Sequence, residues 1–135
     1  MLNNLPTDIK LHKKSAMLEL VYGDGSSHQL SAEFLRISSP SAEVRGHGKG
    51  QEILQVGKRQ VGITAIEPVG NYAVKLEFDD GHDSGIYSWP YLHKLGEDRE
   101  SLWREYLGKL SQARASRDPL PPETQVIKIQ PLPLK

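Results

Sequence analysis

Apolar and polar side chains alternate most cleanly over residues 71–95, NYAVKLEFDDGHDSGIYSWPYLHKL, and the pattern predicts a strand, a tight turn, a second strand and a short helix. Tyr72, Val74, Leu76 and Phe78 fall on one side and Ala73, Lys75, Glu77 and Asp79 on the other, the period-two pattern of a strand with one face in a core. Asp80-Gly81 supplies the turn, because this pair tolerates the positive φ values of a tight hairpin. Ile86 and Tyr87 resume an extended run. Pro90 has a fixed φ and no amide hydrogen to lose, which suits the first helical position and predicts a helix from Trp89-Pro90 to Gly96.

Upstream, residues 1–7 read as a frayed start, Ile9 and Leu11 as a short strand, and Leu18 to Tyr22 as a second. Gly23-Asp24-Gly25-Ser26 is a hairpin signal with His28 to Leu30 returning, and Ala32 to Arg36 has room for about one helical turn. Asp24-Gly25 and Phe34-Leu35 reappear as Asp80-Gly81 and Tyr91-Leu92, at an offset of 56 residues that becomes 57. Either two similar hairpin-plus-helix units share the domain, or short hairpins resemble one another by chance.

Between them, ISSPSAEVRGHGKGQ (37–51) is too rich in Ser, Gly and Pro to be regular throughout. Ile53 to Val56 is expected to form a strand, Gly57-Lys58-Arg59 a turn, and Val61, Ile63 and Ala65 a strand ending before Pro68. After Gly96 a helix over 98–114 is expected, with Asp98 as its cap and an apolar stripe of Leu102, Trp103, Tyr106, Leu107 and Leu110 covering a sheet. From Arg117 onward five of the nine prolines crowd into 119–133, which predicts an extended tail, with Val126 to Ile129 able to add an edge strand. The expected division is a frayed 1–7, a domain at 8–116 and a flexible tail at 117–135. The expected fold class is α+β: a two-layer sandwich, with a mostly antiparallel twisted sheet and C-terminal helices packed on one face.

Composition narrows the function. Seventeen basic and seventeen acidic residues cancel in a chain of 135, so no whole-molecule field attracts nucleic acid or an anionic membrane. The stretch from Ile37 to Glu67, which carries Arg36, Arg45, Lys49, Lys58 and Arg59 in or beside it, contains no aromatic residue on which bases could stack. No run approaches the roughly 18 apolar residues of a membrane span, and no apolar signal core opens the chain; a cytoplasmic address and a monomer are expected. The absence of cysteine excludes disulfides, thiolate nucleophiles and cysteine-ligated metals. No His begins a His-x-Asp/Glu triplet, and neither Gly-x-Ser-x-Gly nor His-Glu-x-x-His occurs, so no catalytic residue and no cofactor is expected. Gly46-His47-Gly48-Lys49-Gly50 lacks the Gly-Lys-Ser/Thr ending of a phosphate loop. Asp79, Asp80, His82 and Asp83 are the densest potential metal ligands, in a turn that favours Asp on its own account.

From about Pro6 to Asp118, through IKLHKKS (9–15), FLRISSPSAEVRGHG (34–48) and above all IEPVGNYAVKLEFDDGHDSGIYSWPYL (66–92), the chain resembles small bacterial proteins similar to the N-terminal domain of gamma-butyrobetaine hydroxylase. The resemblance implies a two-layer α+β domain without the jelly-roll that carries iron and 2-oxoglutarate in the hydroxylases, and so no enzyme activity. A similar domain appended to some Mrp-like iron–sulfur carrier ATPases implies an accessory role. The hydroxylase domain holds zinc through three cysteines and a histidine; the corresponding positions here are Ser39, Ser41, Val44 and His82, which implies a lost zinc site and a hydrogen-bond cluster in its place.

The expected function is therefore a non-enzymatic accessory module that binds a protein partner, with Arg36, Ser39, Ser41, Arg45, His47, Asp80 and His82 as its surface. The alternative is a metal- or small-anion-binding domain using His82 and His47, which requires His82 within coordinating reach of at least two further ligands.

Overall fold

The computed structural model describes residues 5–46, 50–121 and 127. The expected single sheet is two. β1 (Asp8–His12), β2 (Met17–Val21) and β3 (Ser27–Ser31) pair antiparallel in the order β1-β2-β3; β4 (Ile63–Val69), β5 (Ala73–Phe78) and β6 (Gly85–Ser88) pair in the order β4-β5-β6. Each meander runs directly into a helix, α1 (Ala32–Ile37) after β3 and α3 (Trp89–Glu97) after β6; α2 (Ala42–Arg45) lies in the connection and α4 (Arg99–Ala113) follows α3. The class is α+β.

The two halves repeat one plan. Leu18, Leu20 and Tyr22 occupy the places of Val74, Leu76 and Phe78, and Leu30 that of Tyr87; all eight are buried in one shared core. Both hairpin turns carry a glycine at almost the same positive φ, +89° at Gly25 and +90° at Gly81. Both helices are capped by serine, Ser31 Oγ accepting the Phe34 N–H at 3.0 Å and Ser88 Oγ accepting the Tyr91 N–H at 3.3 Å. Pro90 sits in the first turn of α3, where its missing N–H has no partner to lose.

The strand expected at 53–56 does not form. Its backbone is tied elsewhere: Ile53 N–H donates to Val44 O at 2.8 Å, and Gln55 O accepts the Tyr106 hydroxyl at 2.8 Å. β4, by contrast, runs on through Pro68, paired with Val74; an edge strand tolerates a proline whose N side faces away from the ladder. Tyr72 belongs to the turn before β5 and is exposed, while Ala73 is buried.

α4 packs chiefly on α3, not on an open sheet. Its Trp103 meets Phe34 of α1 edge-on at 6.4 Å, Tyr106 and Leu110 are buried, and Leu107 of the expected stripe is exposed. Asp98 makes no side-chain cap bond; it ends α3 through its N–H to Lys94 O and accepts the Leu102 N–H on its own carbonyl, so one residue serves both helices by its backbone.

The start of the expected tail is pinned. Gly57 N–H donates to Ser116 O, and Arg59 N–H to Arg117 O. Arg117 reaches both carboxylate oxygens of buried Glu33 at 2.7 and 2.8 Å and lies 4.8 Å over the Trp103 ring. Of the Val126 to Ile129 edge strand, only Ile127 lies within the described residues, and it is exposed. Among the described residues no helix is long and apolar enough to cross a membrane.

Candidate functional site

The connection after α1 and the β5–β6 hairpin are joined by a closed set of hydrogen bonds. Ser39 is fully buried, with its Oγ 2.8 Å from His82 Nε2, while the other ring nitrogen, Nδ1, lies 3.1 Å from Glu43 Oε1. Burial, reinforced by the positive charge of Arg36, holds the His82 imidazole below its ordinary range against the pull of Glu43 and Asp80. A neutral ring beside a carboxylate carries its proton on Nδ1, so His82 donates to Glu43 and accepts the Ser39 hydroxyl on Nε2. Ser84 Oγ donates to the same Glu43 oxygen at 2.7 Å, which leaves the Ser41 hydroxyl to donate to Ser84 at 2.8 Å. Ser41 Oγ also caps α2 through the Glu43 N–H, and the Ser84 bond, followed by His82, holds the Glu43 carboxyl below its usual range.

The packing is close enough to specify residue size. A Cβ added at Gly85 would lie 2.5 Å from Ser39 Oγ and 3.1 Å from the Tyr87 ring, so only glycine lets β6 approach the serine. Tyr87 is fully buried, and its hydroxyl donates to Leu35 O at 2.6 Å, a second tie from the hairpin to α1; burial pushes its pKa up.

A second set lies beside the first. Arg36, almost wholly buried, donates to Asp80 Oδ2 at 2.9 Å and to Gln55 Oε1 at 3.1 Å; Lys58 donates to the same Asp80 oxygen. Partial burial pushes the Asp80 carboxyl up, but the Lys58 bond, the His82 N–H and the Arg36 charge outweigh it and leave it low. Arg45 donates to the Tyr91 hydroxyl at 2.9 Å and lies 5.4 Å over its ring, and that hydroxyl donates in turn to Ser38 O.

Thus six of the seven residues expected to form a surface, Arg36, Ser39, Ser41, Arg45, Asp80 and His82, lie in one region, and His47 lies outside the described residues, as do Gly48 and Lys49. Arg36, Ser39 and His82 are buried and act as its internal framework. Glu43, Ser84 and Gly85 are equally part of it; their signal was the Ser-x-Glu of an α2 cap and a small residue opposite a buried serine, both too generic to single out. Asp79 and Asp83 do not join His82 in a ligand set: among the described residues, the one group of three or more His, Asp or Glu ligand atoms within 4.8 Å of one another is His28, His93 and Glu97.

Next to this framework, a cleft of about 430 Å³ opens between segment 52–55 and helices α1, α3 and α4. Ile37, Val44, Leu95 and Leu102 give it an apolar lining, and Arg45, Lys94, Lys109, Glu52 and Glu105 supply charges of both signs. Ile53, another lining residue, is exposed.

Residues 9–93 match the family model described as gamma-butyrobetaine hydroxylase-like, N-terminal. The chain is similar to two proteins with NMR solution structures: one at 49% identity with a TM-score of 0.75, covering 92% of this chain and 98% of that one, and one at 48% with a TM-score of 0.72, covering 93% and 92%. It is also similar, at 35% identity and a TM-score of 0.58 over 69% of this chain and 93% of the other, to the crystal structure of a protein of unknown function in the DUF971 family from Acidithiobacillus ferrooxidans. No curated protein matches the chain. With the family model matched over residues 9–93 and a relative at 49% identity covered over nearly its whole length, the chain belongs to the gamma-butyrobetaine hydroxylase-like N-terminal domain family.

Proposed function

We propose that the chain is a non-enzymatic protein-interaction module that takes a short extended segment of a partner protein in the cleft between residues 52–55 and α4. The observation that carries this reading is the state of the segment itself. Residues 51–56 run without regular secondary structure, with Ile53 and Val56 exposed at 53% and 47%, beside an apolar cleft with charges of both signs around it. The segment's own backbone is held by Val44 and Tyr106, so its exposed apolar side chains and the adjacent apolar pockets are what it offers as anchors for alternate side chains of an extended peptide. The Ser39–His82–Glu43 framework supports the reading from below. Its polar groups bond to one another and hold the connection in place, and the Ser39 hydroxyl, fully buried against His82, is out of reach of a substrate.

Selection of a displayed random-peptide library against the full chain tests the proposal. The expected result is a recurring apolar-anchored motif whose synthetic peptide shifts the NMR signals of Ile37, Ile53, Leu95 and Leu102 and loses affinity for Ile53→Asp. Failure to enrich any motif, or peptides that shift residues outside the cleft, would overturn it.

A further inference from the structure

Away from the cleft, β3 and α3 bring two histidines and a carboxylate together. His93 and Glu97 are four residues apart on α3, one turn, and so share a face. His28 reaches them from β3, its Nε2 3.4 Å from Glu97 Oε2, and one ligand atom from each of the three lies within 4.8 Å of the others. The imidazoles of His28 and His93 meet edge to face at 5.6 Å, and the Tyr22 ring closes the triangle at 5.8 and 5.4 Å. Two features show a built arrangement. A Cβ at Gly96 would lie 2.4 Å from the His28 ring, so the helix is cut away to seat that imidazole. Tyr22, 8% exposed, buries its hydroxyl with no hydrogen-bond partner among the described residues, a rare state for a polar atom in a packed interior.

We propose that His28, His93 and Glu97 bind a divalent transition-metal ion of the zinc class, with a metal-bound water as the partner of the Tyr22 hydroxyl. Two imidazole nitrogens and one carboxylate oxygen match the ligand preferences of zinc and its neighbours, whereas magnesium and calcium favour oxygen ligands throughout. Three protein ligands leave a coordination position for water. Exposed Glu97 gives the ion a path in from solvent without opening the core. None of the four residues lines the cleft, so the site stands or falls apart from peptide binding.

Zinc chloride titrated into the metal-stripped full chain, followed by calorimetry and by NMR of the imidazole signals, tests this, with cobalt(II) as a visible-absorption reporter. One equivalent is expected to bind, shifting His28, His93 and Tyr22 while leaving His12 and His82 unmoved. His93→Ala, at a half-buried helical position that alanine suits, is expected to keep the fold by circular dichroism and weaken zinc binding by at least about tenfold. No binding at millimolar zinc, shifts centred on His82 or His12, or unchanged affinity in His93→Ala would each overturn the site.

Discussion

Ser39 Oγ lies 2.8 Å from His82 Nε2, so a residue just before α2 and one in the β5–β6 hairpin, 43 positions apart, share a single buried proton. The family resemblance implies a hydrogen-bond cluster here in place of a lost zinc site, and this chain pairs a hydroxyl with an imidazole. The same two segments are joined, but by a directional neutral bond whose strength depends on the ring keeping one tautomer. That tautomer is set by Glu43 at Nδ1, so an exposed carboxylate governs a buried contact.

Ser39→Ala removes the donor to His82 and the acceptor of the Ser41 N–H, leaving a buried ring nitrogen without a partner. The expected cost is about 1–3 kcal/mol, the usual penalty of an unsatisfied buried polar group. Urea unfolding followed by tryptophan fluorescence measures it, and an unchanged midpoint would show that the bond contributes nothing.

The pH dependence of stability carries the sign of the His82 shift. In the unfolded chain its imidazole takes up a proton as pH falls through its ordinary 6.5, whereas in the folded protein burial and Arg36 delay that uptake. Below 6.5 the unfolded state therefore binds more protons than the folded one. Stability attributable to this ring is whole above that pH and is lost as pH falls through the depressed folded value. Urea midpoints between about pH 7.5 and about pH 5 should drop, and the drop should be smaller in His82→Gln, which cannot titrate.

Arg117→Ala strips buried Glu33 of both its hydrogen bonds and Trp103 of its stacked guanidinium. Breaking one side of a buried ion pair costs about 3 kcal/mol, and more if the carboxylate stays charged. Glu33→Gln combined with Arg117→Ala should recover part of that loss, as read by urea unfolding of the single and double variants. Equal stability of Arg117→Ala and the parent chain would place residues 117 and 118 with the passive tail.

Much of the fold was legible because its signals are local. Alternating side chains, Asp-Gly turns and Pro90 marked all six strands and the helix after each meander, and of the two readings of the internal echo the structure favours two similar hairpin-plus-helix units, with Gly25 and Gly81 at matching turns and Phe34 and Tyr91 in the helices that follow. What failed depended on neighbours. Ile53 to Val56 has strand-like residues, but Val44 and Tyr106 claim its backbone first; Pro68 stays in a strand because that strand is an edge. The Ser39–His82 pair was reached through the family resemblance, whereas His28, His93 and Glu97 meet only because α3 folds back on β3, a juxtaposition no spacing along the chain records. Glu33 and Arg117 look like surface charges until their 84-residue separation closes.

The repeated plan of meander and capped helix has a kinetic corollary. Every strand pairs only with its immediate neighbours in sequence, so each half can condense through short loops that close quickly and at low entropic cost. The contacts joining the halves span far more chain, 52 residues from Tyr87 to Leu35 and 84 from Arg117 to Glu33. The topology predicts a folding barrier set by the docking of the two halves, with contacts inside each meander formed ahead of the Tyr87–Leu35 tie, an order that φ-values at Leu20, Leu76 and Tyr87 would read.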